Sequence, residues 1–253
     1  MTTTAILSAL AEEQHGLIEL LAQPHRVERA GRTFWQGHLG GQPVVLALSR
    51  MGKVAAATTT TTLIEAFGVD QVVFTGVAGG LGPGVQVGDV VVAGQFMQHD
   101  MDVSPLFARF EVPLYGRTLF DCDARLSDHL FAAARSYLTR TGDLADPGPF
   151  TSDATLHRGL IASGDQFVGR ADQSSDLKAA LQSAGHLPLA VEMEGAAVAQ
   201  VCLDYGVPFA AVRTISDCAD DMAHTDFNRF IREVASRYSR AILSQWLCKR
   251  APV

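Results

Sequence analysis

Short apolar runs alternate with longer amphipathic stretches along most of the chain. Continuous apolar runs such as QVVFTGVAGG are typical of strands that are buried on both faces of a sheet. The pattern predicts strands at 5–10, 71–80, 89–98, 158–165, 207–217 and the first part of LPLAVEME (187–194). A Gly-Gly pair between two strand-like runs predicts a β-hairpin over 33–49.

Helical patterns separate these strands. They cover an amphipathic stretch that ends near Gln23, residues 52–67, residues 123–140, EGAAVAQVCLDYG (194–206) and a closing helix over 226–250. Asp226 is placed to cap the closing helix at its N-terminus. Residues 99–116 have scattered aromatic residues and no clean period, which predicts a long loop or lid, and loops of that length are usually functional.

Alternation of buried strands with helices predicts an α/β fold, and no linker or internal repeat divides the chain. We therefore expect one domain over 1–253, with a central, mixed and mostly parallel β-sheet flanked by helices. Ligands of such sheets bind beyond the carboxyl ends of the strands. The residues that follow each strand are thus the candidates for a functional site.

Charge and composition narrow the partner to a small molecule. A net charge of −7 argues against nucleic acid, because binding to phosphate backbones needs clustered Lys and Arg. No run approaches the roughly 20 apolar residues that span a bilayer, and the N-terminus lacks the features of a signal peptide, so we expect a cytoplasmic protein without a membrane partner. The cysteines form no metal-binding pattern, and His99, Asp100 and Asp102 are interpreted as a hydrogen-bonded loop hinge.

Carboxylates, an arginine and an aromatic residue collect at the predicted strand ends, in EE (12–13), GVAGG (76–80), SGDQF (163–167), EMEG (192–195) and RTISD (213–217). Most of them have a structural interpretation as well as a functional one. Glu12 and Glu13 are also typical first-turn helix acids, and Asp165 is also a turn former. Phe167 is either a core aromatic or a stacking platform. The glycines of GVAGG either form a tight turn or let a flat ligand approach the backbone.

Two carboxylates, Glu192 and Glu194, lie in an otherwise apolar and small-residue stretch. In extended backbone they share one face while Met193 points to the other. A carboxylate accepts two hydrogen bonds, so such a pair suits the vicinal hydroxyls of a sugar. The spacing allows both carboxylates to reach a cleft, or one to reach it while the other caps the following helix.

Six segments together identify a family resemblance: AILSALAEEQ, SRMGKVAAA (49–57), FTGVAGGL (74–81), SGDQF, VEMEGAAVA and RTISD. Their order and spacing resemble the nucleoside phosphorylase and hydrolase superfamily, and within it the 5′-methylthioadenosine/S-adenosylhomocysteine nucleosidases, over residues from about 5 to about 248. The resemblance implies a homodimeric hydrolase without cofactor or metal. Such an enzyme cleaves the N-glycosidic bond of adenine thio-nucleosides and releases adenine and a 5-thioribose product.

The same resemblance implies roles for individual positions. Glu13 matches the carboxylate that activates the attacking water, and Asp217, oriented by Ser216, matches the acid that protonates purine N7. Glu194 matches the ligand of the ribose hydroxyls, and Met193 packs under the sugar. The acid needs a raised pKa, whereas the base must be ionised.

The remaining site residues are implied in the same way. Phe167 resembles the residue that stacks on adenine, and the backbone of Val168 resembles the edge that binds the base. Arg213 and Glu192 resemble groups that position the water and maintain the shape of the site. Further substrate contacts are expected from Ala78, Gly79, Met51 and Phe227, and from Val103, Phe107 and Pro113 in the 101–116 loop, where the family places the alkylthio pocket and residues of the dimer partner.

Two departures from the common family pattern bear on the nucleophile: Val77 stands where many members have Ser, and Arg50 stands where they have a small residue. The phosphorylase branch binds phosphate through an Arg and a Ser at the positions of Phe74 and Val77, so water is favoured here. The sequence leaves three alternative functions open. They are a purine nucleoside phosphorylase, an aminodeoxyfutalosine nucleosidase and a non-catalytic nucleoside-binding homologue.

Overall fold

The computed structural model describes residues 2–142 and 154–248, and the strands within these ranges form one ten-stranded sheet. In chain order the strands are β1 (Thr4–Ser8), β2 (Ala22–Arg29), β3 (Arg32–Leu39), β4 (Gln42–Leu48), β5 (Gln71–Gly80), β6 (Val90–Gln98), β7 (Leu119–Asp121), β8 (Leu156–Ser163), β9 (Ala190–Glu192) and β10 (Phe209–Asp217). The helices are α1 (Ala11–Gln14), α2 (Lys53–Phe67), α3 (Ala124–Gly142), α4 (Ala171–Ser183), α5 (Gly195–Tyr205), α6 (Ala223–Phe230) and α7 (Ser236–Cys248).

Part of the sheet closes on itself. β10 pairs in parallel with β5 and antiparallel with β6, while β6, β8, β9 and β5 pair in that order, so these five strands form a ring. From β5 the sheet continues through β1, β4 and β3 to the edge strand β2. β1 and β10 are parallel to β5, so the carboxyl ends of these three strands lie together, and the short strand β9 runs antiparallel to β5 beside the end of β5.

Helices cover both faces of the sheet. Small residues of α2 and α5 pack on one face, where Ala56 and Ala196 are fully buried. Longer side chains of α3 and α7, among them Leu130 and Trp246, pack on the other face. The predicted mixed α/β architecture is confirmed. None of the helices in the described part of the chain combines the length and apolar character that a membrane crossing requires.

Most predicted elements are confirmed, including the hairpin of β3 and β4 around Gly40 and Gly41, both at positive φ. Residues 99–116 contain no helix or strand and form the predicted loop, which extends to residue 118. The sequence pattern missed β2, β7 and α4. β2 is a solvent-exposed edge strand and α4 buries only Ser174 and Leu181, so neither carries the apolar pattern on which the predictions rest.

Two helix predictions are wrong in their details. The stretch after β1 is not one amphipathic helix to Gln23, because α1 ends at Gln14 and β2 begins at Ala22. The closing helix begins at Ala223 rather than at Asp226, and a π-helical segment, Ile231–Ala235, joins α6 to α7. Asp226 donates its N–H to the carbonyl of Met222 and thus lies inside the helix. Asp220 instead accepts the N–H of Met222, which satisfies the start of the helix.

Candidate active site

A cavity opens at the carboxyl ends of β1, β5 and β10, next to β9. Most of the site residues predicted from sequence line it: Glu13, Met51, Ala78, Gly79, Phe167, Glu192, Met193, Glu194, Ser216, Asp217 and Phe227. Val168 lines an adjoining recess together with Gly79 and Phe167. The fold thus brings together residues that are as much as 214 positions apart in the chain, from Glu13 to Phe227.

Glu13 is buried and firmly held. Its Oε2 accepts the N–H groups of Ala9 and Leu10 at 2.8 and 2.9 Å, and its Oε1 accepts the N–H of Val77 at 3.0 Å. Burial raises the pKa of Glu13, while these N–H donors and the charge of Arg213 oppose the rise. A fixed carboxylate with a raised pKa is suited to take a proton from water.

Asp217 is the last residue of β10 and follows a register shift between Ile215 and Asp217 in the pairing with β5. Such a bulge re-aims a side chain. Oδ2 accepts the hydroxyl of Ser216 at 2.8 Å, and Oδ1 accepts the N–H of Ala219 at 2.9 Å. Burial raises the pKa of Asp217, which is the direction expected for a general acid.

Gly76 and Gly79, in the GVAGG segment, lie directly against the carboxylates of Glu13 and Asp217. The segment is not a tight turn, because it forms the end of β5. A Cβ at Gly76 would lie 2.7 Å from Oε1 of Glu13, and a Cβ at Gly79 would lie 2.9 Å from Oδ1 of Asp217. The missing side chains therefore make room for the two carboxylates of this chain, in addition to any space that they leave for a ligand.

Glu192 and Arg213 form a buried ion pair behind the cavity, with 2.7 Å between Oε2 and Nη2. Glu192 also accepts the hydroxyl of Ser163 and the N–H of Gly195 at the start of α5. The Arg213 guanidinium lies 3.9 Å from the ring centre of Phe74 and does not line the cavity. Glu192 is therefore the capping member of the carboxylate pair, and the contact between Arg213 and the attacking water stays a prediction.

Both carboxylates line the cavity, and Glu194 is the one with an oxygen left for a ligand. Its Oε1 accepts the N–H of Gly52 at 2.7 Å, and Oε2 accepts no hydrogen bond from the described residues. Burial, and then the charge of Glu192, raise the pKa of Glu194 to about 8. One oxygen is thus held by the protein and the other is available to a ligand.

Phe167 and Phe227 form an aromatic wall. Their ring centres lie 5.7 Å apart with an interplanar angle of 74°. Phe167 is 43% exposed although it lines the cavity, so its interpretation as a core aromatic is wrong. An open ring face of this kind is suited to stack on a flat heterocycle.

Comparison with known proteins agrees with this geometry. A family model described as the phosphorylase superfamily matches residues 3–245. A 5′-methylthioadenosine/S-adenosylhomocysteine nucleosidase of an Exiguobacterium species is 34% identical over 241 residues, which cover 94% of this chain and 95% of the relative. The chain belongs to this nucleosidase family of the phosphorylase superfamily.

Two further proteins are similar to this chain over nearly its whole length. The crystal structure of the Neisseria meningitidis 5′-methylthioadenosine/S-adenosylhomocysteine nucleosidase in complex with methylthio-immucillin-A has a TM-score of 0.86 and 33% identity. The match covers 98% of this chain and 100% of that one. An aminodeoxyfutalosine nucleosidase of Helicobacter pylori is 34% identical over 240 residues, which cover 94% of this chain and 95% of the relative.

Not every residue expected of a nucleosidase lies at the cavity. Val103, Phe107 and Pro113 belong to the 99–118 loop and do not line the cavity of their own chain. Conversely, Ala9, Leu10 and Val191 line the cavity although the sequence does not predict them as site residues. Ala9 and Leu10 directly follow β1, so the rule that ligands bind beyond strand ends could have found them. Among the described residues no group of His, Cys, Asp and Glu side chains could hold a metal.

Proposed function

We propose that this chain hydrolyses the N-glycosidic bond of 5′-methylthioadenosine and S-adenosylhomocysteine and releases adenine and the 5-thioribose product. The observation that carries the proposal is the arrangement of three buried carboxylates, Glu13, Asp217 and Glu194, around one cavity that also has an aromatic wall. Each carboxylate has different partners, which suits three different tasks. The nucleosidase names of the relatives support the same reaction.

In the proposed mechanism the nucleoside stacks its adenine on Phe167 and binds the base edge at the backbone of Val168. Glu194 accepts the ribose hydroxyls, and Met193 packs under the sugar. Asp217 donates its proton to N7 of adenine, which makes the base a better leaving group. Glu13 accepts a proton from the water that attacks C1′. The carboxylates stabilise the oxocarbenium-like sugar between these two events.

Water rather than phosphate is the proposed nucleophile. Phe74, at the position where phosphorylases carry an Arg, is fully buried beneath Arg213, and the side chain of Val77 offers no hydroxyl. The exposed Arg50 donates to the carbonyl of Gly31 at 2.5 Å and does not line the cavity. A phosphate dianion would meet the Glu13 carboxylate without a compensating cation from these positions.

We expect adenine release from 5′-methylthioadenosine to proceed at the same rate with and without inorganic phosphate. The measurement is adenine production by the unaltered chain in phosphate-free buffer and after phosphate addition, with mass analysis of the sugar product formed in ¹⁸O-labelled water. The label should enter the sugar at C1. A strict phosphate requirement, with ribose 1-phosphate chemistry in the product, would show that the chain is a phosphorylase.

A second candidate substrate is 6-amino-6-deoxyfutalosine. It shares the adenine and the ribose with the proposed substrates, and relatives named aminodeoxyfutalosine nucleosidase are as similar to this chain as many of those named for methylthioadenosine. Specificity constants for the three nucleosides, measured side by side, decide between the candidates. Glu13, Asp217 and Glu194 would have the same roles in each case, because the substrates differ only beyond the ribose.

We also propose that the enzyme is a homodimer. Large apolar side chains are exposed on α2, on the 99–118 loop and on α5: Val54 at 78%, Leu106 at 79%, Leu114 at 94%, Leu203 at 44% and Tyr205 at 42%. These elements adjoin one another, since α2 packs on α5 and the Tyr115 hydroxyl donates to Asp204 at 2.7 Å. Exposed apolar side chains grouped on neighbouring elements are typical of an interface. The family resemblance implies that in such a dimer Val103, Phe107 and Pro113 contribute to the cavity of the other subunit.

A charge in this apolar surface should separate the subunits. We expect Val54→Glu to shift the sedimentation coefficient from that of a dimer to that of a monomer, because substitution of a buried interface residue greatly weakens association. Since each cavity would then lack the loop residues of the other subunit, kcat/KM should fall about tenfold or more. Leu187→Glu, at a position with a similar exposure of 73% but outside the surface, is the control. A monomeric unaltered chain with full activity contradicts the proposal.

A further inference from the structure

Three charged residues close a hydrogen-bonded triangle beside the cavity through two backbone N–H groups and one ion pair. The N–H of Lys53 donates to Oδ1 of Asp165 at 2.7 Å, and the N–H of Asp165 donates to Oδ2 of Asp100 at 2.9 Å. The ammonium group of Lys53 donates to Oδ1 of Asp100 at 2.5 Å, which completes the triangle. Each residue is thus bonded to the other two, so the arrangement fixes three separate segments of the chain relative to one another.

The triangle joins segments that each contribute to the site. Lys53 begins α2 directly after Gly52, Asp165 lies two residues before Phe167, and Asp100 opens the 99–118 loop. The Lys53 ammonium group also donates to Oε1 of Gln98 at 3.0 Å, at the end of β6. The side chains of Lys53 and Asp100 are 16% and 32% exposed, so water screens their ion pair only in part.

Glu194 is the cavity residue that this arrangement reaches most directly. The Gly52 N–H that donates to Glu194 is one peptide unit from the Lys53 N–H that Asp165 holds. Gly52 has a φ of +94°, and a Cβ there would lie 3.1 Å from Oδ1 of Asp165. Two successive N–H groups are therefore aimed at two carboxylates, and the orientation of the first depends on the anchoring of the second.

The proposed chemistry does not use these three side chains. Lys53, Asp100 and Asp165 do not line the cavity and touch none of the atoms assigned to the reaction. The sequence offers Asp165 as a turn former or a catalytic group, and Asp100 as part of a loop hinge. The hydrogen bonds show a different arrangement, in which both aspartates accept hydrogen bonds from Lys53, the residue after Gly52.

We propose that Lys53, Asp100 and Asp165 are positioning residues that hold the Gly52 N–H on Glu194 and so keep the free oxygen of Glu194 aimed at the ribose hydroxyls. This inference rests on the proposed function, because it takes Glu194 as the ribose ligand. The Gly52 N–H also opposes the rise in the pKa of Glu194 that burial and Glu192 cause, and so favours the ionised form, which can accept a hydrogen bond from each hydroxyl. Loss of the triangle should weaken recognition of the sugar and leave recognition of the base unchanged.

The test measures how substitutions in the triangle change the interaction with two ligands, 5′-methylthioadenosine and adenine. We expect Lys53→Met and Asp165→Ala to lower kcat/KM for 5′-methylthioadenosine about tenfold, the size expected for a lost charge-assisted hydrogen bond. The dissociation constant of adenine should stay the same, since adenine has no ribose. Asp165→Asn should retain most of the activity, because the amide oxygen can still accept the Lys53 N–H. Lys178→Met, at an exposed site on α4, is the matched control.

A double-mutant cycle with Glu194→Gln separates positioning from a general structural effect. If the triangle acts through Glu194, adding Lys53→Met or Asp165→Ala to Glu194→Gln should lower kcat/KM by less than about twofold further. Losses that simply add, or an equal weakening of adenine binding, would overturn the positioning role while adenine release by the unaltered chain still supports the proposed function. An unaltered chain that releases no adenine from any of the three nucleosides would overturn both.

Discussion

Replacing Asp217 with Asn is expected to abolish adenine release while 5′-methylthioadenosine still binds. An amide cannot donate a proton to N7, and loss of a general acid lowers kcat by about 10²- to 10⁴-fold. The amide oxygen can still accept the Ala219 N–H that Oδ1 accepts at 2.9 Å, so the end of β10 should keep its shape. Single-turnover adenine release measures the chemical step, and calorimetric titration of the variant with the nucleoside measures binding.

Asp176→Asn provides the control for this experiment, because Asp176 is an exposed carboxylate on α4, away from the cavity. Its activity should match that of the unaltered chain. An Asp217→Asn variant with full activity would show that the proton comes from another group. A variant that no longer binds the nucleoside would show that Asp217 holds the ligand rather than acting as an acid.

Replacing Glu13 with Gln should have the second large effect, a loss of about 10²- to 10⁴-fold in kcat from removal of the general base. Both oxygens of Glu13 accept N–H groups, from Ala9 and Leu10 on one side and from Val77 on the other. The amide nitrogen of Gln must therefore face a donor on one side. We expect the free energy of unfolding to fall as well, by about 1–3 kcal/mol, for the donor left unpaired.

Kinetics, thermal unfolding and a pH profile check the Glu13 prediction. Glu12→Gln is the matched control, since Glu12 is the exposed neighbour and should tolerate the change. In the unaltered chain the rate should rise with pH as Glu13 loses its proton, and burial places this limb at higher pH than for an exposed glutamate. The rate should fall again as Asp217 loses its own proton at a raised pKa. Unchanged kcat in Glu13→Gln would remove Glu13 from the mechanism.

The apolar pattern of the sequence predicts the buried elements of the fold and misses the exposed ones. The continuous apolar runs of β5 and β10 predict buried strands because both faces of these strands are covered. β2 and α4 were missed because their side chains are largely exposed, so burial imposes no apolar period on them. Glu192 and Glu194 stand out because a charged group in an apolar run is costly unless something binds it, whereas the role of Glu13 rests on the family resemblance.

Hydrogen bonds and ion pairs between residues far apart in the sequence could not be predicted in this way. Nothing in EMEG states that Glu192 pairs with Arg213 and that Glu194 accepts the N–H of Gly52, since these partners lie 21 and 142 positions away. The spacing allowed either carboxylate to cap α5. The choice depends on which of them meets the guanidinium behind β9, and this is a property of the assembled sheet.

The sequence by itself determined the α/β class, the strands that end at the site, the types of residue that collect there and the resemblance to the nucleosidase family. These follow from local burial and from motifs that each occupy one short segment. Only the tertiary structure decided the partners of Glu13, Asp217 and Glu194, the need for glycine at Gly76 and Gly79, and the triangle of Lys53, Asp100 and Asp165. Hydrogen bonds and close contacts of this kind depend on distances between segments, and these distances are set when the ring of strands closes.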